Sequence, residues 1–102
     1  MTYDELKRKY HDEGLDEYLD IRFDVKWGPE YVTTICREPD HTFTVIEFGE
    51  RENREIHSGM TEEEACEQVY AKALATKRFE IAYREKTRRQ AAEPEENARN
   101  RP

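Results

Sequence analysis

A chain of 102 residues, 40% charged and 35% hydrophobic with a net charge of -7, is the size of one small domain. A domain of this size buries only about 60–65% of the surface its unfolded chain exposes, which leaves one modest core and little room for a deep enclosed site. No run of about 18 apolar residues predicts a membrane span, yet eleven aromatic residues argue against a wholly disordered chain despite a mean hydropathy of -1.16.

The N-terminus, Met1-Thr2-Tyr3-Asp4-Glu5, is acidic and lacks the apolar run of a secretory signal. Thr2 with Glu5 forms a capping box, and Tyr3, Leu6 and Tyr10 recur at helical spacing up to Gly14. These signals predict a helix over 3–13, with 15–19 able to add one more turn. Leu19, Ile21, Phe23, Val25 and Trp27 alternate with charged residues, which predicts a strand over 19–27 with one buried face. Gly28-Pro29 is a turn, 31–37 a β-branched second strand, and Glu38-Pro39-Asp40 the next turn. A third strand is predicted over 42–48, a hairpin tip over 50–53, and a short fourth strand over 54–57 that Ser58-Gly59 closes. Thr61 and Glu64 form a second capping box, and 60–93 contains neither glycine nor proline. A long helix is predicted there, stopped by Pro94. The expected fold is α+β: an antiparallel three- to four-stranded sheet flanked by an N-terminal and a long C-terminal helix. It occupies 1–93 as a single domain, with 94–102 a disordered tail.

Charge is unevenly distributed. Residues 1–71 hold 19 acids and 8 bases, whereas 72–90 hold 2 acids and 7 bases. An acidic body repels phosphate, so no direct nucleic-acid partner is expected; a basic protein surface would be attracted. Within the body, Asp12, Glu13, Asp16, Glu17 and Asp20 fall in nine residues with no base among them. Like charges so close repel. They form either a solvated loop or an electrostatic docking patch.

The run "SGMTEEEACEQV" poses a similar choice. Acids in a first turn and the bases Arg84, Lys86, Arg88 and Arg89 at the far end complement the helix dipole, at about 0.3–1 kcal/mol each. A helix start is therefore a sufficient account of Glu62, Glu63 and Glu64. Cys66 lies on the apolar stripe with Val69, Tyr70, Ala73 and Leu74, where preceding glutamates would raise its thiol pKa. Cys36 and Cys66 are expected as buried free thiols of a cytoplasmic protein, with a disulfide as the second reading. His11 with Asp12 and Glu55 with His57 have no recognised metal-ligand spacing. No catalytic, cofactor or metal site is expected, and no enzyme.

At about 100° per residue, Phe79 and Tyr83 fall opposite that stripe, near 220° and 260° from Cys66. They either cover helix one or anchor a partner.

The order helix–three strands–helix, with Gly28-Pro29 before the second strand and "SGMTEEEACEQVYAKAL" opening the last helix, resembles the double-stranded RNA-binding domain. That family reads RNA through lysines where this chain has Glu62, Glu63 and Glu64, so the resemblance extends to fold and not to RNA binding. Thr44–Phe48, Gly49-Glu50-Arg51 and Thr61–Cys66 together resemble small acidic immunity proteins of bacterial polymorphic toxin systems, over about a third of the chain. That resemblance implies a non-enzymatic inhibitor that occludes a cognate toxin. Asp12, Glu13, Asp16, Glu17, Asp20, Phe79 and Tyr83 are the partner-binding candidates. Size and acidity fit a phage-encoded inhibitor of a host nuclease, anti-CRISPR-like, equally well.

Overall fold

In the computed structural model, which describes residues 1–99 and side chains through Ala91, Thr2 opens the first helix as its sequence predicts. Its hydroxyl accepts the Glu5 amide at 3.2 Å, and α1 runs Tyr3–Asp12 with Tyr3, Leu6 and Tyr10 buried. Gly14, in the left-handed region at φ 63°, turns the chain into a single 3-10 turn over Leu15–Glu17. Leu15 and Leu19 are buried beside it.

The sheet has four strands in the order β1 (Ile21–Phe23), β2 (Thr33–Arg37), β3 (Phe43–Phe48) and β4 (Arg54–Met60). It is mixed rather than antiparallel. β2–β3 and β3–β4 are antiparallel, but β1 pairs with β2 in parallel, Ile21 opposite Thr33. The predicted strand over 19–27 is cut to three residues because Asp24 takes φ 58°. Its carboxylate accepts the Tyr3 hydroxyl and the Arg37 amide, each at 2.9 Å, and its amide donates to the Ile35 carbonyl. These bonds hold the chain in a reversal, and 24–32 loops back to the starting edge. A parallel crossover usually needs a dozen or more residues and a helix; only three paired residues need returning here. Trp27, read as the last inward residue of a strand, is therefore 69% exposed.

β4 is longer than expected. It passes through Ser58 and Gly59, where Gly59 sits at φ 70° beside a register shift against β3. The second helix, α2, spans Glu62–Arg99 and does not stop at Pro94. Proline's fixed φ is helical, although in a helix interior it removes one hydrogen bond and its ring crowds the i−4 carbonyl, at a cost of about 3 kcal/mol. Of the tail read as disordered, 94–99 lies in α2, and 100–102 lies outside the described residues.

The core sits between one face of the sheet and both helices. Ile35 and Val45 on the sheet meet Leu6, Leu15, Ala65, Cys66, Val69 and Ala73, all within 1% of full burial. Tyr3 organises the α1 side: its ring lies edge-on to Phe23 at 5.5 Å and 5.7 Å from Phe43. Cys36 and Cys66 are both buried and free.

This core accounts for only the first part of α2. From Arg78 onward to Ala91 every residue except Glu80 is exposed. The radius of gyration is 18.5 Å, against about 13 Å for a compact chain of this length, and the long axis is 71 Å. The stretch from Arg78 to Arg99 is about 33 Å of helix at 1.5 Å per residue, close to half that axis. The second half of α2 therefore overhangs the body.

Candidate functional site

Asp12, Glu13, Asp16, Glu17 and Asp20 are all exposed, in the shoulder of chain from the end of α1 through the 3-10 turn to the start of β1. Two of the five have partners of their own among the described residues. Glu13 accepts the Tyr70 hydroxyl at 2.8 Å, and Asp20 lies 3.9 Å from Arg22. The carboxylate of Glu13 pushes the Tyr70 phenol up from its usual pKa. The sequence shows no base inside this cluster, but the fold brings two close. Lys77 and Arg84, one above the other on α2, lie 5.9 and 5.6 Å from the ring of Tyr18, in the middle of the acidic run. Their charges offset part of the repulsion that the spacing alone implies.

The glutamate run at the start of α2 does structural work. The Thr61 hydroxyl oxygen accepts the Glu64 amide at 3.1 Å and lies 3.1 Å from the Glu64 carboxylate, to which it donates. Glu62 accepts the Tyr3 amide at 3.0 Å, so the first turn of α2 also caps the first turn of α1. Glu63 is exposed. Behind them, burial and then the charge of Glu62 push the Cys66 thiol up to about 11. At neutral pH it is a protonated core side chain, not a nucleophile.

Phe79 and Tyr83 do not cover α1. They are 72% and 61% exposed, on the overhang. Lys72, Thr76, Phe79 and Tyr83 follow at i, i+4, i+7 and i+11, so they share one face of α2. The first of them reaches the sheet: the Lys72 ammonium donates to Thr33 Oγ1 at 3.2 Å and pairs with Glu47 at 2.9 Å. The aromatic pair thus continues a sheet-facing stripe beyond the point where the sheet ends. Lys77 and Arg84 lie about 130° around the helix from it, at 100° per residue. The predicted binding residues therefore form two surfaces. Tyr18, within the acidic run, meets Lys77 and Arg84, whereas the aromatic pair shares the face of Lys72; the two approach each other at Leu19, which lines a hollow with Lys72.

Where α2 leaves the sheet, an open hollow is lined by Leu19, Tyr31, Glu47, Glu55, Arg54 and Lys72. Tyr31 is 66% exposed and held at φ 67°, an uncommon backbone conformation for a bulky residue, by donating its amide to the Phe48 carbonyl at 2.8 Å. Glu47 and Glu55 are direct cross-strand neighbours, and His57 joins them, with ligand atoms all within 4.8 Å. Sequence spacing revealed only Glu55 and His57. Glu47 comes from the other strand of a hairpin whose register the sequence does not state. These are ligand types for a divalent cation, but the Lys72 ammonium already stands against Glu47. Neither Tyr31 nor Lys72 was marked by the sequence; the one usable signal was the spacing of Lys72 to Phe79 and Tyr83.

No family model matches the chain, and comparison with curated proteins and with solved structures also finds no match. Among the described residues no helix is long and apolar enough to cross a membrane.

Proposed function

We propose that this chain is a non-enzymatic protein inhibitor, an immunity protein that binds a cognate toxin and occludes it. One observation carries the reading. Asp12, Glu13, Asp16, Glu17 and Asp20 are all exposed on one shoulder of a domain whose first 71 residues carry an excess of eleven acids. Such a surface steers a basic partner into contact and rejects acidic ones. The part of its self-repulsion that Lys77 and Arg84 leave uncompensated is a cost that a cationic partner relieves. The burial and raised pKa of Cys66 fit a reading without nucleophilic catalysis.

The mechanism is steric and electrostatic. The shoulder docks against a basic active-site cleft and fills it. Charge sets the association rate, and burial of the contact sets the lifetime. The test is surface plasmon resonance against a candidate toxin with a basic active-site cleft. The wild-type association rate should fall steeply from 50 to about 500 mM salt, as exposed charges are screened. Neutralising Asp12, Glu13, Asp16, Glu17 and Asp20 together to Asn or Gln should slow association at least about tenfold at low salt. An association rate indifferent to salt and to the five substitutions defeats the reading.

A further inference from the structure

We propose that Glu47, Glu55 and His57 bind a zinc-type divalent cation at the hairpin end of the sheet. Their ligand atoms all lie within 4.8 Å of one another, and the His57 ring nitrogen Nε2 is 3.8 Å from Glu55 Oε2. The sheet sets this geometry. Glu55 and His57 stand two apart on β4 and so share a face. The β3–β4 register puts Glu47 directly opposite Glu55, and Val45 opposite His57. Val45 is fully buried, so a one-residue slip that parted the three would also carry Val45 out of the core.

Charge and ligand type select the occupant. Two carboxylates directly across a strand pair repel. The Lys72 ammonium, 2.9 Å from Glu47 and bonded to Thr33, offsets one of them. Glu55 has only the His57 imidazole beside it, with no lysine or arginine ion pair among the described residues. An ionised carboxylate offers about four acceptor positions, so Lys72 leaves Glu47 able to bind an ion as well. The imidazole nitrogen decides between cations. Calcium and magnesium prefer shells built from oxygen, whereas zinc accepts imidazole and carboxylate together. Neither cysteine competes, because both are buried and burial raises both thiols above their usual pKa.

The three side chains can close on an ion. Zinc bonds of about 2.0–2.2 Å set tetrahedral ligand atoms about 3.3–3.5 Å apart, so a separation of 4.8 Å must shorten by roughly 1.5 Å. Glu55 is exposed, and Glu47 and His57 are half-buried, so rotation about their side-chain bonds supplies that movement while the strands stay fixed. Glu47 and Glu55 also line the open hollow beside Leu19 and Tyr31. Three protein ligands leave a fourth position, which the hollow keeps accessible to water.

The site shares no residue with the acidic shoulder of Asp12 to Asp20. The inference therefore does not depend on the toxin reading, and its test uses the chain alone. Isothermal titration calorimetry of the tag-free chain with Zn²⁺ should give one ion per chain, with a dissociation constant of about 1–50 µM. The melting temperature should rise with Zn²⁺ by mass action. Losing an outer-shell partner of a metal ligand costs about 10–100-fold in affinity, so losing a ligand itself through His57→Gln or Glu55→Gln should weaken binding at least about tenfold. Lys72→Met removes an ammonium that repels the ion and should tighten binding about threefold or more. Neutralising the five acids of the shoulder, or replacing His11 and His41 by Gln, should leave the affinity within about twofold. Mg²⁺ should bind at least about a hundredfold more weakly than Zn²⁺. Absence of Zn²⁺ binding up to about 1 mM overturns the proposal. So does binding that survives both His57→Gln and Glu55→Gln, or that is lost with the shoulder acids or with His11 and His41. An affinity that Lys72→Met leaves unchanged or weakens would remove Glu47 from the ligand set, and with it the site as stated.

Discussion

Tyr3→Phe removes one oxygen from the place where both ends of the fold meet. The ring keeps its contacts with Phe23 at 5.5 Å and Phe43 at 5.7 Å, and the Lys7 ammonium and Arg37 guanidinium stay over it at 4.5 and 4.8 Å. Only the hydroxyl that donates to Asp24 at 2.9 Å is lost. A hydrogen bond to a charged acceptor contributes about 1.5–3 kcal/mol, and the partial exposure of Asp24 places this one at the low end, about 1–2 kcal/mol. Thermal melting should fall by roughly 5–12 °C, at about 4–8 °C per kcal/mol for a domain of this size. Tyr3→Ala, which empties the ring's place in the core, should cost about 3–5 kcal/mol. The alkaline limb gives a second reading. Burial first, and then the bond to Asp24, raise the Tyr3 phenol above its usual pKa. A raised folded-state pKa contributes stability that is complete below the unfolded value of about 10 and is lost as pH climbs past it. Tyr3→Phe should therefore flatten the loss of stability above about pH 10. In a cycle with Asp24→Asn, whose side chain still tolerates the left-handed backbone, the coupling should be about 1 kcal/mol. A Tyr3→Phe protein within about 0.3 kcal/mol of wild type at pH 7, with an unchanged alkaline limb, refutes this account of the hub.

Thr61→Ala removes the bond to the Glu64 amide and should cost about 1 kcal/mol by urea unfolding, whereas Glu63→Gln should change stability by less than about 0.5 kcal/mol. On the acid side, partial burial works against ionisation of Asp24, but the Arg37 amide, the Tyr3 hydroxyl and the charges of Arg37 and Lys7 hold its pKa below the usual value. Its contribution is thus present above about pH 4 and lost as pH falls further, so Asp24→Asn should show a shallower acid transition in a circular-dichroism titration. Cys36 and Cys66, buried and with raised thiol pKa values, should react with a disulfide reagent at neutral pH only as fast as the protein opens. Labelling of either thiol at the rate of a free peptide would contradict their placement.

The legible parts of the sequence were those governed by local rules. Capping boxes at Thr2 and Thr61 placed both helix starts, and β-branched runs placed β2 and β3 within two residues. The antiparallel expectation failed at one residue. Period-two alternation continues through Val25 and Trp27, but Asp24 is bonded to Tyr3 and to Arg37, which are distant in sequence and absent from any window around the strand. The cluster of Glu47, Glu55 and His57 was half legible for the same reason, since its third member crosses a hairpin. Phe79 and Tyr83 were read correctly as off the main stripe. Their exposure depends on where the sheet runs out beneath α2, a length that no pattern within α2 encodes.

The two surfaces also explain why the bulk charge is a poor guide to this chain. A net charge of -7 suggests one acidic object, yet 72–90 hold 7 bases against 2 acids, and Lys77 and Arg84 among them lie against Tyr18. Screening over about 8–10 Å at physiological salt keeps the far end of the α2 overhang electrically separate from the shoulder. A basic partner approaching the shoulder therefore meets acids, while an acidic surface approaching the overhang meets arginines. Dispersed bases would neutralise the shoulder and weaken its steering. Dispersed acids would do the same to the overhang. Segregation along one helix preserves both fields, and it leaves Phe79 and Tyr83 in water. An exposed aromatic pair on a basic projection is a liability for a monomer, because any acidic, apolar surface can capture it.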